Sequence, residues 1–215
     1  MTGRPPRRRR QWGIVGTLAA AGIGAMVFGM LGGWHSGTST GARDLTGVEV
    51  AFEPGVTPPP LAESEAVDDE GTRLRVPSRG LDVALGSLDS VDGDITPPGF
   101  TSAYVVRDRS VALDHAETGT VILAMHALAR GTAPGNALSD PTTHAPTLRA
   151  GDIVEVASVT YAVDEVRRIP KPDLAHDEDL WTPGPGRLIM ITCLPREAGA
   201  SLDNLVVVAH AVSQG

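Results

Sequence analysis

The chain has a single cysteine, Cys193, among 215 residues. No disulfide can form within it, so a fold stapled by cross-links is excluded. It has a single lysine, Lys171, and the other basic residues are all arginines. Five of these, Arg4 and Arg7 to Arg10, stand together at the N-terminus. Beyond them 13 basic residues face 26 acidic ones, a balance that argues against binding nucleic acid or an anionic surface. No group of His, Cys and Asp shows metal-ligand spacing, and neither a metal nor a cofactor is expected. Amphipathic helical periodicity is almost absent beyond residue 72, which removes helical bundles from consideration.

What is present first is a topological signal. The arginine cluster is followed by about 23 residues without formal charge, bracketed by Trp12 and Trp34, a length that spans a bilayer core. The expectation is a basic cytoplasmic tail over 1–11 and a transmembrane helix over 12–34. By the positive-inside rule, everything beyond it is extracellular. A cleaved signal peptide with its cut near Gly37 to Thr40 is the other reading. Ala25, Gly29 and Gly33 recur at four-residue spacing, a pattern of close helix packing or of composition. Residues 35–72 are rich in Gly, Ser, Thr and Pro, then acidic, and read as a disordered extracytoplasmic linker.

The remainder, 73–215, reads as one domain of short strands. RLRVPSRGLDVAL (73–85) alternates, with Pro77 and Gly80 marking a turn. Residues 102–107 and 110–113 are short strand candidates. GTVILAM (119–125) is strongly apolar and runs into His126. Ala150-Gly151-Asp152 turns into two alternating stretches, 153–159 and 161–168. A long connection over 169–186 leads to RLIMITC (187–193), and NLVVVAHAV (204–212) closes the chain. Many short strands between turns predict an all-β sandwich or barrel, and about 143 residues suffice for one core.

Cys193 ends an apolar strand that Pro195 stops. Two readings stand: a small buried hydrophobe, or a nucleophile at the lip of a strand. Outside the membrane a lone thiol is inert, joined to another chain, or chemically used. Among the six histidines, His126 also ends an apolar strand. If the two strands run parallel, thiol and imidazole meet across one groove.

In this order the landmarks resemble the sortases, membrane-anchored cysteine transpeptidases of Gram-positive surfaces, of an actinobacterial type like classes D, E and F. The resemblance is carried by 73–85, by Gly119 to His126, by Arg149-Ala-Gly-Asp152 before Ile153, by Ile189-Met-Ile-Thr-Cys193, and by Asp203 to Val208. It implies a closed eight-stranded sortase-type β-barrel behind the anchor and linker. It implies Cys193 as nucleophile and His126 as general acid and base. The partners it implies are surface proteins bearing an LPxTG-like sorting signal, and an amine of a peptidoglycan precursor or pilin that resolves the thioacyl link. Two departures stand out. Met125 replaces the glycine that usually precedes the family's histidine, and no arginine follows Arg196, although the family places one on its last strand. Arg196 is then the nearest replacement as oxyanion or substrate stabiliser, and Arg130 the next. A catalytically inactive sortase-like interaction module, with Cys193 buried, is the competing reading.

Overall fold

The structure, a computed structural model, describes residues 41–212. The expected basic tail and transmembrane helix lie outside the described residues. Among those described, no helix is long and apolar enough to cross a membrane.

Eight strands form: β1 (Val67–Val76), β2 (Leu81–Leu88), β3 (Ala103–Val106), β4 (Thr120–Met125), β5 (Ile153–Val156), β6 (Val159–Pro170), β7 (Arg187–Cys193) and β8 (Asp203–Ala211). They close into a barrel in the order β1-β2-β3-β4-β7-β8-β6-β5, with β5 returning onto β1. This is the expected all-β, eight-stranded closed barrel. Closure leaves no long unpaired edge. The β2–β3 and β4–β7 pairs are parallel and the other six are antiparallel.

The alternation of each strand decides which side chains fill the barrel. Leu123 and Met125 of β4, Leu188 and Met190 of β7, and Leu205 and Val207 of β8 point inward, into one cluster with Leu74, Val83 and Val154. Their neighbours Ile122, Ala124, Ile189, Ile191, Val206 and Val208 point outward and form a second cluster. The middles of these strands are apolar on both faces because both faces are covered. The outer cover comes from α2 (Lys171–Leu174) and α3 (Glu178–Trp181), which follow the one-turn α1 (Leu61–Ser64) in chain order and contribute Leu174, Leu180 and Trp181.

Several expectations are corrected. The domain does not begin at residue 73: β1 starts at Val67, where Val67 pairs with Ser87. Hydropathy does not mark this half-strand, because Val67 to Glu70 stay exposed and hold on by polar contacts. The Asp68 carboxylate accepts from the Tyr104 hydroxyl at 2.7 Å, and Glu70 from Ser87 at 2.5 Å. Gly86 of β2 lets the β1 backbone approach, since a Cβ there would sit 2.2 Å from the Val67 carbonyl oxygen. Residues 110–113 form no strand; turns at Arg107–Arg109 and Leu113–His115 flank them. The connection after β6 holds α2 and α3. Asp177 caps α3 by accepting from the Leu180 amide at 3.0 Å and pairs with Arg167.

The stretch expected as disordered linker also packs on the barrel from residue 41 onward. Ala42, Val50 and Phe52 rest on Phe100, Leu128 and Ala133. One carboxylate, Asp44, fastens this segment. It accepts from the Thr46 amide and hydroxyl and the Val48 amide, and reaches across to the Thr132 amide at 2.8 Å. Burial pushes the Asp44 carboxyl up, but these hydrogen bonds together outweigh it and hold it below its ordinary value. A depressed carboxyl contributes its stability above the unfolded value of about 4 and loses it as pH falls through the folded one. Asp44→Ala is therefore expected to release the segment while the barrel stays folded. Hydrogen exchange at the Val48 and Thr132 amides will quicken at neutral pH, and the parent will show the same quickening only in acid.

Candidate active site

The parallel β4–β7 register pairs Met125 with Thr192 and Ala124 with Ile191. His126 and Cys193 are the next residues on each strand, so they leave the sheet side by side at one end. Alternation settles the face. Cys193 shares the outward side with Ile189 and Ile191, and His126 shares it with Ile122 and Ala124. Both line a groove of about 570 Å³ walled by Ile95, Pro97, Ala124, Leu174, Trp181 and Ile191. Met125, which stands where the family usually has glycine, packs its side chain into the inner cluster and also borders the groove.

Cys193 is half-buried. Its pairing partner on β8 is Asn204, and its thiol donates to Asn204 Oδ1 at 3.9 Å. His126 is half-buried between two aromatic rings. Phe100 lies at 4.6 Å, and Phe52, from the N-terminal segment, meets it edge-on at 5.3 Å. His126 Nε2 lies 2.9 Å from the Pro97 carbonyl oxygen, which accepts only, so Nε2 carries the proton and Nδ1 is left to exchange one. Behind the histidine, the Gly135 amide donates to the His126 carbonyl at 2.8 Å. Gly135 has to be glycine: a Cβ there would fall 2.0 Å from Thr192 Oγ1. That hydroxyl is buried and has no hydrogen-bond partner among the described residues. Asn136 fixes the same turn, accepting from the Leu128 and Ala133 amides and donating to the Leu128 carbonyl.

Charged side chains also line the groove: Glu53, Lys171, Arg109, Asp92 and Asp94. Glu53 accepts from Ser201 Oγ at 2.7 Å and from Lys171 Nζ at 3.3 Å. Arg109 lies over the Trp181 ring at 5.0 Å. Burial in this wall pushes the His126 imidazole below its ordinary value; the Pro97 carbonyl and Glu53 oppose the shift, and Lys171 adds to it.

Of the four residues the sequence points to, two come together and two do not. Arg196 does not reach back over the groove. Leu194 continues the ladder, its amide donating to the Asp203 carbonyl at 2.9 Å, and Pro195 is buried behind it. Arg196 therefore emerges exposed and lines an adjoining cavity with Arg130, Glu49 and Glu197. The other described histidines are elsewhere: His115 is exposed beside Asp114, His210 pairs with Asp164 at 2.5 Å on the surface, and His144 and His176 do not line the groove. Asn204, Phe52 and Glu53 escape sequence reasoning. Only the first left a signal, as the polar residue that opens the closing apolar strand.

No protein-family model and no curated protein matches the sequence. Solved structures do. The chain is similar to sortase A of Listeria monocytogenes, at 16% identity over 66% of this chain and 86% of that one, with a TM-score of 0.48. It is similar to sortase A of Corynebacterium diphtheriae, at 17% identity over 67% and 61%, with a TM-score of 0.48. Sortase C-1 of Streptococcus pneumoniae matches at 18% identity over 69% and 70%, with a TM-score of 0.47.

The buried imidazole gives a titration test. Its folded midpoint is expected below the ordinary histidine value of 6.5. The unfolded chain then binds more protons in that interval, so stability falls as pH drops from neutral through the folded midpoint. Phe100→Ala admits water to the ring and is expected to move the His126 midpoint upward, read from its Cε1 proton by NMR.

Proposed function

We propose that this chain is a membrane-anchored cysteine transpeptidase of the sortase type. The observation that carries the reading is the parallel β4–β7 register, which ends two adjacent core strands in an imidazole and a thiol on one side of one groove. The anchor is the 12–34 span, and the catalytic domain faces outward from the cell membrane. The apolar groove wall accepts the leucine and proline of an LPxTG-like sorting signal.

Cys193 Sγ attacks the carbonyl carbon of the scissile peptide bond. A carbon–sulfur bond forms, the carbonyl π pair moves to oxygen, and the thiol proton passes to His126 Nδ1. A histidine whose pKa burial has lowered is neutral at pH 7 and ready to take that proton. When the oxyanion collapses, the carbon–nitrogen bond breaks and His126 hands the proton to the departing amine. The surface protein is left as a thioester on Cys193. An amine of a peptidoglycan precursor or a pilin then attacks that carbon and gives its proton to His126; the carbon–sulfur bond breaks, and the departing sulfur takes that proton back from His126 to restore the thiol.

One observation favours the competing reading, an inactive interaction module: Arg196 and Arg130 both lie outside the groove. The two readings separate in one assay, using the full chain in detergent with a fluorogenic LPxTG peptide and hydroxylamine. The parent is expected to release the amine-side fragment and form the hydroxamate. Cys193→Ala is expected to abolish both, and His126→Ala to slow them by about 10²- to 10⁴-fold. A silent parent, or a Cys193→Ala variant that cleaves as well as the parent, overturns the proposal.

A further inference from the structure

We infer that Asn204 is a catalytic residue of this chain, the side-chain donor to the oxyanion formed when Cys193 attacks its substrate; the inference rests on the transpeptidase reading above. The position follows from the sheet. In the antiparallel β7–β8 pair, Asn204 stands directly opposite Cys193. It shares the outward side of β8 with Val206 and Val208, so its side chain leaves the barrel on the face that carries the thiol and the imidazole. It lines the groove together with Cys193, His126 and Thr192.

The chemistry of the position is specific. Asn204 is 7% exposed, in a strand whose next five residues are apolar or alanine and buried. Among the described residues the only hydrogen bond of this side chain is the long one from the Cys193 thiol to Oδ1. Its Nδ2 group, which carries two donors, has no partner among them. An amide that lines the groove, faces the nucleophile and keeps both donors unpartnered by protein can offer them to an acceptor that arrives with the substrate.

The reaction creates that acceptor. While Cys193 is a thiol it donates, and Oδ1 accepts. As the carbon–sulfur bond forms, the thiol proton leaves for His126, and negative charge develops on the substrate oxygen beside the sulfur. A half-turn about the terminal torsion of Asn204 presents Nδ2–H in place of Oδ1, so the same side chain serves both states. The donor strengthens as charge builds, which makes its effect specific to the transition state. No cation is needed, and Arg196 has no part in this step.

Alkylation separates an oxyanion donor from a structural asparagine. Iodoacetamide reacts with Cys193 by displacement at a saturated carbon, and no oxyanion forms. Asn204→Ala, in the full chain in detergent, is expected to lower acyl transfer to hydroxylamine by about 10²- to 10³-fold, mostly in kcat, while iodoacetamide alkylation stays within about threefold of the parent. Asn204→Leu keeps the branched volume on an apolar strand without the donor. It is expected to behave the same way and stands in if the alanine variant fails to fold by circular dichroism. Acyl transfer that falls less than about tenfold in a folded variant overturns the assignment, as does alkylation that falls in step with it. A parent that alkylates but never acylates overturns the transpeptidase reading itself, and the assignment with it.

Discussion

The parallel pairing of β4 with β7 is the constraint on which the rest depends. Two strands that leave a sheet in the same direction at matched register place their next residues side by side. Here those residues are His126 and Cys193. Because the side-chain period is two, a slip of one residue would carry one of them from the groove into the barrel and expose a core side chain in exchange. Burial of Leu123, Met125, Leu188 and Met190 on the inner face therefore fixes the register and, with it, the pair. The free energy that holds the site is core burial, supplied some distance from the chemistry.

Parallel pairing also dictates how the groove is walled. A parallel neighbour cannot be reached through a tight hairpin and needs a long crossover. Between β4 and β7 the chain makes β5, β6, α2 and α3, and the two helices return to cover the outer face beside the thiol. The opposite side is closed from the N-terminal segment, where Phe52 meets the imidazole edge and Glu53 ties down Ser201 and Lys171. Glu53 and Lys171 act on the imidazole with opposite sign, and they pair with each other. Burial is the largest influence and sets the direction of the His126 shift.

How much of this is legible in the sequence follows from what each element is made of. β4 and β7 are apolar on both faces, and each ends at a residue with chemistry, so the pair is readable from residue order alone. The first half of β1 is not readable, because its side chains are acidic and exposed and it is held by its backbone and by Tyr104 and Ser87. The helices α2 and α3 are each one turn long and sit among prolines and acids, too short to show a period. Arg196 is misplaced by sequence reasoning for a different reason. Nearness along the chain is not nearness in space, and the continued ladder at Leu194 and the buried Pro195 carry the backbone out of the groove. Asn204 lies eleven residues from Cys193 and contacts it, because a hairpin brings them face to face. A search for a missing cation looks past a neutral donor.

A groove served by a neutral donor has a consequence for its electrostatics. On the proposed chemistry the resting site holds an uncharged thiol, an uncharged imidazole and an uncharged amide. The first step moves one proton within that set, so the net charge of the trio together with its substrate stays zero throughout. A guanidinium at the position of Asn204 would assist the oxyanion more strongly through Coulomb attraction. It would also add a permanent charge beside the apolar residues of β8, at a desolvation cost of several kcal/mol unless that charge were paired. It would further disfavour imidazolium, opposing the proton transfer to His126 that the attack requires. With burial already lowering the His126 pKa, a second cation nearby would make the base weaker still. The neutral amide removes that conflict: it answers negative charge where it forms and leaves the basicity of His126 to be set by Pro97, Glu53 and the ring packing of Phe100 and Phe52.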